Sequence, residues 1–280
     1  PPDEPGDMEI AALKVVWRAL VAGELSLQLF PIIRPGSPAN QDAFKDGINA
    51  LTTQLLCPYL THHTEFLLRW CCIVLCLKTE SSAGMLRLLQ YICDLLEALH
   101  REAGAAALTD AEVSCILPHL VDRCGHKSEK HAALLRQAVL LVGQITGPTK
   151  LSIALAHGLR SHNKRSRVVC LEELQQIVVT EGISVLGPAV LREVGACLDS
   201  RECDTFVRTA ALDLLVAVYV SLGNDLVRLR KALGNDISDA TFSLVEDKIN
   251  PPARRLPSTP AAAPAPIART PANVARCSLR

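Results

Sequence analysis

Aromatic side chains are scarce in this chain: two Trp, three Tyr and five Phe make up 4% of its 280 residues. A β-sandwich core draws heavily on aromatic and β-branched residues, so their shortage points away from sheets. Net charge is also missing. Lys and Arg together number 29, as do Asp and Glu, which excludes a grossly basic nucleic-acid binder. No apolar run is long enough to cross a bilayer: "LLRWCCIVLCL" is short, is interrupted by Arg69, and is followed at once by Lys78 and Glu80. Catalytic and metal signatures are lacking too. There is no CxxC or HExxH spacing, no nucleophile elbow, and no GxGxxG or P-loop glycine pattern, so neither a metal centre nor an enzyme is expected, and no cofactor. His62 and His63, some three turns before Cys72 and Cys76, come nearest to a ligand set. The eleven Cys are scattered through apolar stretches with no secretory signal ahead of them, which predicts buried, reduced thiols in a cytosolic protein.

Leu, Ala and Val dominate instead, and they fall at helical spacing. The chain reads as all-α. After the acidic lead 1–7, a helix is predicted over 8–22, with Leu13, Val16, Trp17 and Leu20 on one face. Helical segments then alternate with short polar breaks, as between antiparallel helices. "LTDAEVSCILPHLVDRC" opens with Thr109 three residues before Glu112, a capping box, and ends at Gly125, a good residue to follow a helix. The last thirty residues hold five Arg and no acid, leaving 24 basic against 29 acidic side chains in residues 1–250. The organisation expected is a helical domain over 8–250 and a disordered Pro/Ala/Arg-rich tail over 251–280.

The second half repeats. Leu120, Leu159 and Leu198 are spaced 39 apart, while Arg167 and Arg208, like Leu171 and Leu212, are 41 apart. Two helices per unit at that period define an α-solenoid of the HEAT or armadillo class. Stacked units place the loops inside each helix pair along one edge. Those loops carry Lys45, Lys78, Lys127, Lys130, Lys164, Arg165, Arg167, Arg201 and Arg208, a basic ridge on a mildly acidic body. Cations at a helix start oppose the macrodipole and repel one another, so local stability does not explain "SHNKRSR" at 161–167. An acidic partner does. Glu172 and Glu173 read as a solvated helix face rather than an acid/base pair. Two non-enzymatic alternatives remain open: a scaffold for some other acidic protein, and a nucleic-acid binder, the latter opposed by the acidic body and the lack of aromatics among the basic loops.

"IALAHGLRSHNKRSRVVCLEELQQIV", "FVRTAALDLLVAVYVSLGNDL" and "FSLVEDKIN" resemble the last three repeats of a TOG domain. This is the six-HEAT-repeat module of the microtubule polymerase family that includes ch-TOG and the plant microtubule-organisation protein. "FLLRWCCIVLC" followed by "ILPHLVDRCGHKSEK" is similar to the second and third repeats of the fourth such domain. The resemblance covers roughly 24–250. It implies that αβ-tubulin or the microtubule lattice is the partner, that sister TOG domains lie in the same parent chain, and that neither membrane nor specific nucleic acid is involved. It places tubulin-contacting loops at 34–45, 78–82, 126–130, 161–167 and 200–208. Arg34, Phe44, Lys45, Lys78, Lys127, Lys130, Asn163, Lys164, Arg165, Arg167, Arg201 and Arg208 are the contact candidates. In the family's strong tubulin binders the first loop carries a Trp. Here that loop is "RPGSPANQD", with no aromatic until Phe44, which implies a weaker, lattice-type contact without an aromatic anchor.

Overall fold

The computed structural model describes residues 48, 49, 52, 64–76, 82–104, 107–200, 204–234 and 237–250. The predicted helix over 8–22, the tail over 251–280 and candidates Arg34, Phe44, Lys45, Lys78 and Arg201 lie outside them. The described residues contain ten α-helices and no strand. They are α1 (Thr64–Cys76), α2 (Ser82–Ala103), α3 (Asp110–Arg123), α4 (Glu129–Thr146) and α5 (Pro148–Gly158). They continue as α6 (Lys164–Glu181), α7 (Pro188–Asp199), α8 (Thr205–Ser221), α9 (Leu226–Leu233) and α10 (Asp239–Ile249).

Consecutive helices form five hairpins stacked in two layers. One layer runs α1, α3, α5, α7, α9, each helix packing on the next; the other contains the closely packed pairs α2–α4, α6–α8 and α8–α10. Between the layers lies one continuous aliphatic core, with Leu120, Leu171, Leu174, Leu214 and Leu215 almost wholly buried. Trp70 and Tyr91 are the bulkiest fully buried side chains. Cys71, Cys72, Cys93, Cys124, Cys170 and Cys197 are buried free thiols, and Cys115 is a half-buried one. Burial, with the carboxylates of Asp94 and Glu97 adding to it, pushes the Cys93 thiol up to about 12, so it stays protonated and inert.

Local sequence sets the helix ends. The Thr109 hydroxyl accepts from Glu112 N at 3.3 Å while the Glu112 carboxylate accepts from Thr109 N at 2.7 Å, the capping box read from sequence. Pro148 starts α5 directly after Gly147, whose φ of 88° turns the chain sharply from one hairpin into the next. Gly125 does follow α3, but its φ is not positive. A Cβ there would lie 2.1 Å from Ser166 N and 2.4 Å from Arg165 C, so glycine is required because α6 presses its first turn against this loop.

The α4–α6 junction departs from the regular stack, for these two helices pack far less closely than their neighbours in the same layer. Arg136 of α4 reaches across, its Nε donating to Glu173 and its Nη2 to Glu172 at 3.0 Å. Glu172 is exposed as predicted, but Glu173 is not part of a solvated face: it is 5% exposed and ion-paired.

Candidate functional site

The loops inside each hairpin fall side by side, held in register by bonds that span about one repeat. Gly125 N donates to Ser166 Oγ at 3.0 Å, and that hydroxyl donates to Asp122 O at 2.6 Å. Ser161 Oγ donates to Asp122 Oδ1 at 2.6 Å, and Asn163 Nδ2 to Gly125 O at 3.4 Å. Lys164 Nζ meets Asp204 Oδ2 at 3.1 Å. Farther along, Ser238 Oγ donates to Asp199 Oδ1 at 2.7 Å. Burial pushes the Asp199 carboxyl up, but the hydroxyls of Thr241 and Ser238 and the Ser238 amide hold its carboxylate form and bring it below its ordinary range.

The described candidates sort into two groups along this edge. Asn163 caps α6, its side chain accepting from Arg165 N at 3.1 Å, and ties that loop to Gly125. Arg167 is half-buried and donates to Cys197 Sγ at 3.0 Å. Lys164 is committed to Asp204, and the Lys164 ammonium and the Phe206 amide hold the Asp204 carboxyl below its usual range. These three build the edge. Lys127, Lys130, Arg165 and Arg208 are exposed and form no ion pair among the described residues. Ser238 and Thr241 engage Asp199, and Lys164 engages Asp204.

Arg167 and Arg208 occupy equivalent repeat positions yet differ in fate. Arg167 lies against Cys197 near the end of α7. The corresponding helix of the next hairpin, α9, has only eight residues and stops at Leu233, and the matching position, Ser238, turns to Asp199 instead. A hollow of about 350 Å³ opens on the edge between Lys164, Arg167, Glu193 and Ser200. In the first turn of α4, His131 is buried with Nδ1 2.9 Å from Ser128 Oγ, and the ring of His126, in the preceding loop, stacks on it at 4.7 Å between centroids. Burial and the neighbouring His131 push the His126 imidazole below its ordinary value.

Phe206 escaped the sequence reading. It stands in the first turn of α8, 78% exposed, two residues from the Lys164–Asp204 pair and two from Arg208. The basic edge therefore carries an aromatic after all. Its signal is visible only once the helices are aligned on their N-caps Ser128, Asn163 and Asp204. The residue two beyond each cap is then Lys130, Arg165 and Phe206, all three exposed. The polar ties had a signal as well: Asp122 and Ser161, Lys164 and Asp204, and Asp199 and Ser238 are each 39 or 40 residues apart, the repeat length itself.

Among the described residues, no group of His, Cys, Asp and Glu side chains converges as a metal site, and no helix is long and apolar enough to cross a membrane.

A stack of helical hairpins about forty residues long, with loops registered along one edge, is the architecture of a TOG domain. The solved TOG domain of Caenorhabditis elegans Zyg9 superposes with a TM-score of 0.75 at 24% identity, over 90% of this chain and 89% of that one. A structure from work on how TOG–tubulin binding specificity promotes microtubule dynamics and mitotic spindle formation gives 0.72 at 21% identity, over 87% and 88%. In sequence, the chain is 29% identical over 192 residues to rice (Oryza sativa subsp. japonica) Protein MOR1, covering 69% of this chain but 9% of that protein. The chain thus spans about a tenth of that relative. No family model matches it. The chain therefore has the fold of a TOG domain, and in sequence it is similar to MOR1.

Proposed function

We propose that this chain is a tubulin-binding module that docks its loop edge on αβ-tubulin, with the microtubule lattice as the favoured form, within a longer protein that carries sister TOG domains and supports microtubule growth in the cytoplasm and spindle. The observation that carries this reading is the registered edge, on which Lys127, Lys130, Arg165 and Arg208 face solvent and form no ion pair among the described residues. Likeness to a fold solved in the context of tubulin binding supports it. Exposed ion pairs contribute about 0–1 kcal/mol each, so four or five contacts of this kind supply at most about 5 kcal/mol, a Kd no tighter than about 0.2 mM, and the interaction weakens as salt rises. Linkage to sister domains then raises the apparent affinity through effective concentration.

The test is co-sedimentation with microtubules, and gel filtration with tubulin dimers, of the intact chain beside a Lys127→Glu/Arg165→Glu/Arg208→Glu variant. All three side chains are exposed and form no ion pair among the described residues, so the variant should keep its helical circular dichroism. Loss of binding in the folded variant supports the reading. Equal binding by both moves the contact off this edge, and no binding by either turns the reading towards a scaffold for another acidic protein.

A further inference from the structure

We infer that Phe206 is the apolar anchor of the loop edge, entering a non-polar recess on the acidic protein surface that the flanking cations engage; the partner is taken from the proposed tubulin reading, on which this inference rests. Three observations converge on it. Phe206 is 78% exposed, whereas Phe242 is buried and Trp70 and Tyr91 are fully so. Its backbone is fixed, because Phe206 N donates to the Asp204 N-cap at 3.0 Å and Asp204 is in turn held by Lys164 at 3.1 Å. The side chain is thus presented from a rigid helix start, which lowers the ordering cost on docking. Finally, it stands in the row of exposed residues two beyond the caps of α4, α6 and α8, with Lys130 and Arg165.

That row has a chemical logic. Two positions offer charge to an acidic surface and the third offers a large, stiff apolar body, the combination that concentrates binding energy at interfaces. Cations set the approach and the salt dependence, while the ring contributes an interaction that salt does not screen. Complementarity then requires a surface with acidic groups around an apolar recess, rather than a uniformly acidic tail.

The experiment measures microtubule affinity of the full chain, of Phe206→Ala, and of Val227→Ala, each checked for unchanged thermal melting. Val227 is 79% exposed at the start of α9, on the edge away from these loops, and serves as a control of matched exposure. The expected result is a loss of about tenfold or more for Phe206→Ala, the effect of withdrawing a buried Phe side chain, with an unaltered slope against salt. Val227→Ala binds as the parent does. If Phe206→Ala binds like the parent, or if both variants lose affinity equally, the anchor is overturned while tubulin binding stands. If the parent itself binds neither microtubules nor tubulin dimers, the anchor and the function it rests on fall together.

Discussion

At Gly125 the contact between two hairpins dictates the residue. A methyl group there would sit 2.1 Å from the Ser166 amide nitrogen, in a region of buried backbone with no flexible side-chain end to yield. Gly125→Ala should therefore destabilise the domain by about 1–3 kcal/mol, read as a lower urea midpoint. The sequence marks this glycine as a helix terminator and cannot reveal that its cause lies 41 residues away, because a close approach leaves no local pattern. Histidines make a second point at this scale. Burial and Arg123 push the His119 imidazole below its ordinary value of about 6.5, against a smaller opposite pull from Asp122, and His126 is lowered as well. A depressed folded value means that the unfolded chain takes up protons first. The stabilisation is present above pH about 6.5 and is lost as pH falls through the lower folded values. Denaturant midpoints should drop between pH 7.5 and 5.5, and His119→Gln/His126→Asn should flatten that slope.

Between elements, the α4–α6 junction is where the stack relies on charge rather than close packing. Arg136 bridges it to Glu172 and to the buried Glu173. Arg136→Met leaves that buried carboxylate without its partner and should cost about 2 kcal/mol, whereas Arg136→Met/Glu173→Leu should recover much of the loss. A double-mutant cycle by urea unfolding checks both values. Helix type, hairpin order and the capping box at Thr109 were legible because helical periodicity and cap chemistry are local. Glu173 was not, since a carboxylate on a polar helix face has the same sequence pattern whether water or Arg136 covers it. Similarly, the repeat register finds the loops but not which cations are free: Arg167 and Arg208 share a position, and the next hairpin decides that one is engaged and the other exposed.

For the whole molecule, neutral overall charge conceals an edge whose exposed cations form no ion pair among the described residues, while its remaining polar groups hold neighbouring repeats together. Binding through such an edge should weaken markedly between 50 and about 200 mM salt, the Debye length shrinking below the spacing of successive loops. The likeness to TOG domains was legible from the order and period of the repeats. The aromatic on the edge was not, because Phe206 in "DTFVRTAALDLL" reads as one more apolar helical residue until burial separates it from Val207, which is fully buried. The central claim is that the edge carrying these loops is the contact surface. Amide hydrogen exchange of the full chain, with and without microtubules, tests it most directly. The account predicts added protection at 124–130, 160–167 and 204–209, with none at 182–187 or 222–227 on the opposite edge. Protection confined to that opposite edge, or shared evenly between the two, would contradict it.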